Sequence, residues 1–295
     1  MNKPSLLQNN ISKKFVLGTT QLGLKDYGIS NFTNISSKKK SLQILEYAWK
    51  NHIRVFDTAP IYNSEKIIGN FCKSNGLSSK AKIITKLSTL RFRKNYLDYA
   101  KKTIETSLNN LCVNKLFCLL IHDTKDINFL KNKKNFFDEI RKTFDIENIG
   151  FSIYDNRDFQ KGLKLLPEAA FQYPENLLIN KVVDYKKKNL FFARSIFLQG
   201  FLLNEKIHKK KIPKILISQH KKMHHFFRQN KIDPVELSIN YLLSNKRINY
   251  YLFGVDNIHH LQKIINIKKG EKIDKEIINT IKSFFSHKIN IKGWK

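Results

Sequence analysis

Cysteine and long apolar runs are both scarce in this sequence of 295 residues. The three cysteines, Cys72, Cys112 and Cys118, show no CxxC spacing, which argues against a disulfide framework and predicts reduced thiols. No segment approaches the roughly 18 apolar residues of a membrane-spanning helix, and residues 1–10 lack the apolar core of a secretory signal. We therefore expect a cytoplasmic protein with no membrane partner.

Acidic residues and arginine are also few. The chain has 54 Lys+Arg against 24 Asp+Glu, a formal charge of +30, which on its own is typical of proteins that bind nucleic acid or anionic membranes. Only eight of the 54 cationic residues are arginine, the side chain that phosphate and base recognition favour. Lys, Asn, Ile and Phe are abundant together, which an A/T-rich coding bias produces without any selected partner. We expect a solvated lysine-rich surface and no nucleic-acid partner.

Short β-branched or aromatic runs alternate with longer amphipathic stretches along the chain. Eight runs are predicted strands: Lys14–Gly18, Arg54–Asp57, Lys82–Lys86, Leu116–Ile121, Asn148–Ser152, Ala169–Gln172, Phe192–Phe197 and Tyr250–Gly254. Helical patterns between them include Ser41–Lys50, Tyr96–Leu111, Ile127–Thr143 and Pro234–Leu243. Eight strands that alternate with helices predict an α/β fold, the (β/α)8 TIM barrel.

The barrel is predicted to be a single domain over residues 14–295. No internal repeat and no Pro/Gly/Ser-rich linker divides the chain, and 41% hydrophobic residues are enough for a sizeable core. Residues 1–13 are predicted to be an N-terminal extension that caps the barrel or stays loose. The competing architecture, an open doubly wound sheet, needs a GxGxxG turn after its first strand, and Gly18-Thr-Thr-Gln-Leu-Gly23 does not match.

Three consecutive predicted strands end in ionisable residues. Asp57, Lys86 and His122 close the second, third and fourth strands, and Tyr62 lies on the loop after Asp57. Catalytic side chains of such barrels come from the carboxyl ends of the strands, so these four residues are expected to share one site. Each alone has an ordinary explanation, such as a helix cap, a solvated strand end or a buried histidine. Their coincidence favours an active site.

With these residues the chain resembles the aldo-keto reductases, (β/α)8 barrels that reduce carbonyl groups with a nicotinamide cofactor. The resemblance extends from about Phe15 to Ile267 and is strongest in Phe56-Asp-Thr-Ala-Pro-Ile-Tyr-Asn-Ser-Glu-Lys-Ile-Ile-Gly69, which is similar to the family signature FDTAxxYGxSExxIG. The other matching segments are Ile84-Thr-Lys86, Leu119-Leu-Ile-His-Asp123, Ile149-Gly-Phe-Ser152, Gln172 and Phe253-Gly-Val255.

The resemblance implies a catalytic tetrad of Asp57, Tyr62, Lys86 and His122 that acts on a small polar carbonyl substrate such as a sugar. Hydride arriving at the carbonyl carbon leaves negative charge on the oxygen, which therefore needs a proton donor, Tyr62. The Lys86 ammonium is expected to lower the pKa of Tyr62, and Asp57 is expected to keep Lys86 charged. His122 is expected to orient the carbonyl and stabilise the developing oxyanion.

The resemblance also implies a cofactor, with NADPH favoured and NADH as the alternative. Ser152 and Gln172 would hold the nicotinamide carboxamide, and Lys263 would face the 2′-phosphate. The full set of cofactor residues is Gly18, Thr19, Asp57, Ser152, Gln172, Arg194, Ser195, Gly254, Asn257 and Lys263. The chain departs from the family pattern at Asn63, Ile153, Arg194, His260, Lys263 and Ile264.

Other functions fit parts of the sequence. The departures from the family pattern would also suit a cofactor-binding barrel that acts as a non-catalytic regulatory or interaction subunit. Charge alone would suit a nucleic-acid binder, whose affinity would fall steeply with salt. His220 and His224 are four residues apart, but no acidic residue lies close to them, so we expect surface histidines and no metal site. Basic loop residues such as Lys125 and Arg194 would suit an anionic substrate, and the oligomeric state is not predicted.

Overall fold

The computed structural model describes residues 11–24, 27, 37–133, 135–180, 188–207, 212–267, 274–285 and 289. Its strands are β1 (Phe15–Gly18), β2 (Val55–Asp57), β3 (Lys82–Leu87), β4 (Lys115–Ile121), β5 (Asp145–Ser152), β6 (Ala170–Asn176), β7 (Ile179–Asn180), β8 (Phe191–Arg194) and β9 (Tyr250–Gly254). Its α-helices are Thr20–Gly23, Lys38–Lys50, Glu65–Ser74, Tyr96–Leu111, Thr124–Leu130, Phe136–Thr143, Asn156–Leu165, Lys214–Gln229, Pro234–Ser244, Ile258–Ile265 and Lys275–Ser283.

Eight of the strands form a closed parallel barrel, which confirms the predicted fold. β1 pairs with β2 on one side and with β9 on the other, and the neighbouring pairs continue through β3, β4 and β5 and through β8 and β6. The parallel pairing of β5 with β6 closes the circle. The two-residue strand β7 pairs antiparallel with the end of β6 and is not part of the barrel.

Buried apolar side chains lie on both sides of the barrel strands. The larger cluster lies between the strands and the surrounding helices, with phenylalanine pairs such as Phe136 and Phe137 buried in it. A smaller cluster fills the barrel interior and comes from seven of the eight parallel strands: it includes Val16, Val55, Ile84, Cys118, Leu120, Ala170, Phe192 and Leu252. The interior is therefore a packed core, and the carboxyl ends of the strands, where barrel enzymes carry their chemistry, lie above it.

Several predicted elements have other bounds in the structure: β5 begins three residues earlier, at Asp145, and β6 continues to Asn176, four residues beyond the predicted end. The predicted strand Phe192–Phe197 ends at Arg194, because Ser195 and then Leu198 adopt positive φ angles of 53° and 51°, which break the extended backbone. The predicted helix Ile127–Thr143 is two helices, the second of which begins after Asn135.

The N-terminal extension lies mostly outside the described residues, which begin at Ile11. Ile11 packs against the core of the barrel, and the Lys14 backbone N–H donates to its carbonyl oxygen at 2.9 Å. Within the part of the chain that the structure describes, no helix combines the length and apolar character needed to cross a membrane.

His220 and His224 are buried, so the prediction that they lie on the surface is wrong. They are 1% and 6% exposed, and both Nε2 atoms lie within hydrogen-bonding distance of the Phe201 carbonyl oxygen, at 3.0 and 3.2 Å. The apolar side of the helix Lys214–Gln229 carries them into a satellite core outside the barrel. Among the described residues no group of three or more His, Cys, Asp or Glu side chains could hold a metal ion.

The buried histidine pair is expected to make folding stability depend on pH. Burial, and then the neighbouring His224, lowers the pKa of His220 from 6.5 to about 4, so the folded protein keeps it neutral where the unfolded chain is protonated. The stability that this residue contributes is complete above pH 6.5 and is lost as the pH falls toward 4. By pH 5 the loss is about 2 kcal/mol. Between pH 7 and pH 5, urea unfolding should show a smaller loss of unfolding free energy for His220→Gln than for the wild type. The glutamine amide can still donate to the Phe201 carbonyl oxygen.

The exposed His259 provides a matched control, because His259→Gln removes a histidine without changing a buried group. Burial raises the carboxyl pKa of Glu175 to about 8, so the folded protein holds a proton that the unfolded chain releases above pH 4.5. Its contribution to the unfolding free energy therefore grows as the pH falls, opposite to that of His220. The comparison of variant with wild type cancels that contribution. Equal pH dependence in wild type and His220→Gln would contradict a neutral, buried His220.

Candidate active site

The polar residues of the site point into the barrel because side chains alternate along a strand. Seven residues of the apolar cluster inside the barrel are each followed, two positions later in the sequence, by a residue whose side chain also faces the barrel axis. Those seven later residues are Gly18, Asp57, Lys86, His122, Gln172, Arg194 and Gly254. They form a layer above the packed interior at the carboxyl ends of the strands, where barrel enzymes carry their chemistry.

Lys86 and Asp57 form a buried ion pair in this layer. Lys86 Nζ donates to Asp57 Oδ2 at 2.7 Å and to the Thr58 carbonyl oxygen at 2.8 Å, and the two charged side chains are 1% and 5% exposed. The second carboxylate oxygen, Asp57 Oδ1, accepts a hydrogen bond from Gln172 Nε2 at 2.7 Å. Burial lowers the pKa of Lys86, and the charge and hydrogen bond of Asp57 oppose that shift.

Tyr62 ends a short 3₁₀ turn, Pro60–Tyr62, that follows β2. Asn63, which stands where the family signature has glycine, has a φ of 57°, in the left-handed region that asparagine tolerates. Gly23 of the loop after β1 approaches the same turn: a Cβ on Gly23 would lie 2.0 Å from the Tyr62 carbonyl oxygen. The absence of a side chain at Gly23 therefore lets the first loop pack against the turn that holds Tyr62.

The structure brings the four predicted catalytic residues together. Tyr62 Oη lies 3.4 Å from His122 Nε2, and Lys86 Nζ lies 4.9 Å from the centre of the Tyr62 ring. The backbone of His122 is fixed to the neighbouring strand, because its N–H donates to the carbonyl oxygen of Leu87 at 2.7 Å. The phenol and the imidazole thus converge on one point above the Lys86–Asp57 pair.

The electrostatics of the tetrad differ from the prediction in one respect. Burial, and then the Asp57 carboxylate, raises the pKa of Tyr62 above its ordinary value, while Arg194 lowers it. The expectation of a lowered pKa for Tyr62 is therefore wrong, because burial and the Asp57 carboxylate outweigh the groups near the phenol that lower its pKa. Burial, and then Lys86, lowers the pKa of His122 to about 3, so its imidazole is neutral at physiological pH.

Three hydroxyl groups hold the loops of the predicted tetrad, and two of them, Thr58 and Ser64, were not among the predicted site residues. Ser64 Oγ lies 2.8 Å from Thr19 Oγ1 and 2.9 Å from Thr58 Oγ1, and Thr19 Oγ1 also donates to the Asp57 carbonyl oxygen at 2.9 Å. All of these hydroxyls are buried. The serine of the family signature thus joins the ends of β1 and β2. Thr19 is fully buried in this network, and its direct contact with a cofactor stays a prediction.

The residues predicted to hold the nicotinamide lie on neighbouring strands. Ser152, the last residue of β5, is paired in register with Gln172, the third residue of β6, and both are buried. The amide of Gln172 already bonds to Asp57, so it links the predicted cofactor pocket to the ion pair. At the end of β8 the Arg194 guanidinium is half-buried, and its Cζ lies 4.6 Å from the centre of the Tyr154 ring.

The other predicted cofactor residues have partners within the protein. Gly18 and Gly254 are paired in register at the ends of β1 and β9. Asn257 caps the helix that follows β9, and its side chain accepts a backbone N–H of that helix at 2.9 Å. Lys263 Nζ lies 3.0 Å from Asp233 Oδ2, and both side chains are substantially exposed. Contacts from these residues to cofactor phosphates stay predictions.

Gln21 and Tyr27, on the loop after β1, also lie near the site. A Cβ on Gly254 would lie 2.2 Å from Gln21 Oε1, so the Gln21 side chain occupies the space beside that glycine. Tyr27 is 40% exposed and interacts electrostatically with Tyr62. The one sequence signal for both is their place on a loop that follows a barrel strand, which does not identify individual side chains.

Comparisons with known proteins agree with the barrel fold. Among solved structures, the glycerol dehydrogenase AKR11B4 from Gluconobacter oxydans is similar, with a TM-score of 0.65 over 92% of this chain and 90% of that chain. At 16% sequence identity this likeness shows the shared fold alone. No curated protein sequence matches the chain significantly. The model of the aldo/keto reductase family matches residues 14–285. With that match over nearly its whole length, the chain belongs to the aldo/keto reductase family of oxidoreductases.

Proposed function

We propose that the protein is an NADP(H)-dependent enzyme that reduces an aldehyde or ketone of a small polar molecule, or oxidises the corresponding alcohol. The observation that supports it is the buried Lys86–Asp57 pair beside the Tyr62 ring, with the Tyr62 hydroxyl facing a neutral His122. A non-catalytic cofactor-binding subunit has no use for a proton donor held in this arrangement, so the geometry favours catalysis over that alternative.

In this mechanism Tyr62 and His122 bind the carbonyl oxygen together. As negative charge develops on that oxygen, Tyr62 Oη gives it a proton, and the phenolate that remains is stabilised by the Lys86 ammonium near its ring. Asp57 and the Thr58 carbonyl fix the direction of that ammonium. The neutral imidazole of His122 contributes a second hydrogen bond that orients the carbonyl. In alcohol oxidation the same residues act in the opposite order.

The donor groups of the site fit a nicotinamide cofactor, which when bound would supply or accept the hydride. The Ser152 hydroxyl and the Gln172 amide, on residues paired in register between β5 and β6, match the donors and acceptors of a carboxamide. At the other end, Lys263 would exchange its Asp233 partner for the 2′-phosphate of NADPH. A lysine at this place would favour NADPH over NADH, because its ammonium can bind the additional phosphate.

A cofactor titration followed by a substrate panel tests the proposal. NADPH should bind more tightly than NADH when cofactor fluorescence is followed, and NADPH should be consumed with at least one aldehyde, ketone or sugar. Cofactor binding without turnover across the whole panel would instead indicate a regulatory or interaction subunit. Tighter binding of NADH would overturn the assignment of Lys263.

The pH dependence of the two directions should differ. Reduction needs a protonated Tyr62 and a neutral His122, and both conditions hold from about pH 6 to 9 because the pKa of Tyr62 is raised and that of His122 is lowered to about 3. We expect kcat/KM for reduction to be nearly constant over that range. Oxidation needs the phenolate, so its kcat/KM should rise about tenfold per pH unit. A reduction profile that falls on both sides of pH 7 at constant ionic strength would contradict these protonation states.

A further inference from the structure

Arg194 points into the mouth of the barrel, in the same layer as the catalytic side chains. It ends β8, two residues after Phe192, which fills the barrel interior, so alternation along the strand turns Arg194 inward above that core. Its charge acts on Tyr62, Lys86 and His122 alike, which places the guanidinium within electrostatic range of the whole tetrad.

Neutral groups hold this guanidinium in place. Its Cζ lies 4.6 Å from the centre of the Tyr154 ring, Nη2 donates to the Ile153 carbonyl oxygen at 3.2 Å, and Nη1 donates to Ser195 Oγ at 3.3 Å. Those bonds use two of the five N–H donors of an arginine. Among the described residues no carboxylate forms an ion pair with Arg194. The side chain is therefore fixed in position without being neutralised.

Among the described charged groups of the site, the Arg194 guanidinium is the one that has no counter-charge close to it. Lys86 is balanced by Asp57 at 2.7 Å, His122 is neutral and Tyr62 keeps its proton at physiological pH. A half-buried cation beside a proton donor, with donors to spare, is suited to an anion, and guanidinium binds carboxylate and phosphate through two parallel hydrogen bonds.

We propose that Arg194 binds the anionic group of the substrate, so that the enzyme acts on short carbonyl compounds that carry a carboxylate or a phosphate. The inference rests on the proposed reductase function. With the carbonyl oxygen between Tyr62 and His122 and the anion on Arg194, both ends of the molecule lie in one barrel mouth. A few bonds therefore separate them, and the ion pair fixes which carbon faces the hydride. Lys125, in the first turn of the helix Thr124–Leu130, is exposed and does not share this layer.

Pairs of substrates that differ in charge test this assignment in the complete protein. The pairs are 4-carboxybenzaldehyde with 4-nitrobenzaldehyde, and glyceraldehyde 3-phosphate with glyceraldehyde, so that a carboxylate and a phosphate are examined separately. For each pair, the ratio of kcat/KM for the anionic member to that for the neutral member is compared between proteins. Arg194→Gln should lower this ratio about 10- to 100-fold, the value of one charged hydrogen-bonded contact. Arg194→Lys should retain part of it, and Lys125→Gln should leave it unchanged.

A binding measurement separates this proposal from the proposed function. Benzoate, but not benzamide, should raise the melting temperature of the NADPH-bound wild type, and this difference should vanish in Arg194→Gln. If no carbonyl compound is turned over but the benzoate effect follows Arg194, the reductase proposal fails and the anion site stands. An unchanged ratio in Arg194→Gln, or a loss confined to NADPH affinity, would overturn the anion site and assign Arg194 to the cofactor.

Discussion

Replacement of Tyr62 by Phe is expected to lower kcat/KM for carbonyl reduction by about 10²- to 10⁴-fold, the range for loss of a positioned proton donor. The substitution removes the hydroxyl that faces His122 at 3.4 Å but keeps the aromatic ring beside Lys86. NADPH affinity should therefore change little, because the ring still packs in the same place. Steady-state kinetics with the best substrate of the panel, combined with an NADPH titration, measure both quantities.

Tyr250→Phe is the matched control for this experiment. Tyr250 lies at the opposite end of the barrel, where its ring stacks on Phe192 at a centroid distance of 5.2 Å. Loss of its hydroxyl should leave kcat/KM near the wild-type value. Equal activities of Tyr62→Phe and the wild type would exclude Tyr62 as the proton donor and, with it, the proposed mechanism.

Replacement of Asp57 by Asn is expected to destabilise the fold as well as abolish activity. It leaves the Lys86 ammonium buried without its carboxylate, and breaking a buried ion pair in this way costs about 3–5 kcal/mol of unfolding free energy. The double variant Asp57→Asn with Lys86→Met should regain much of that stability, because it buries no unpaired charge. Both variants should lose reductase activity. Urea unfolding at pH 7 gives the stabilities of the three proteins.

A surface ion pair provides the comparison for this loss. Lys115 Nζ lies 3.2 Å from Glu147 Oε1 with both side chains well exposed, so Glu147→Gln should change the stability little. If Asp57→Asn were no more destabilising than Glu147→Gln, the Lys86–Asp57 pair would not be the buried, charged unit that the mechanism requires.

Much of the site could be predicted from the sequence because its elements are local. The strands were recognisable from short apolar runs, and the residue two places beyond each inner apolar residue points the same way, which brings Asp57, Lys86 and His122 into one layer. The family signature added Tyr62 on the loop after β2. The same local reasoning failed at His220, since the sequence surrounding it is rich in lysine while its own helix face is buried against Phe201.

The sequence by itself determined the family and the order of the barrel strands, and it placed the residues of the proposed tetrad after those strands, because periodicity and motif are properties of neighbouring residues. Only the tertiary structure determined the electrostatics of the proposed site. The Gln172 amide reaches Asp57 across 115 positions of the chain, and the burial that raises the pKa of Tyr62 comes from several strands at once. The formal charge of +30 does not identify a binding partner. One arginine, Arg194, matters more, because the fold places it half-buried, without an ion-pair partner among the described residues, near the proposed proton donor Tyr62. Electrostatic effects depend on distance and dielectric surroundings, and these are set by the packing of remote segments.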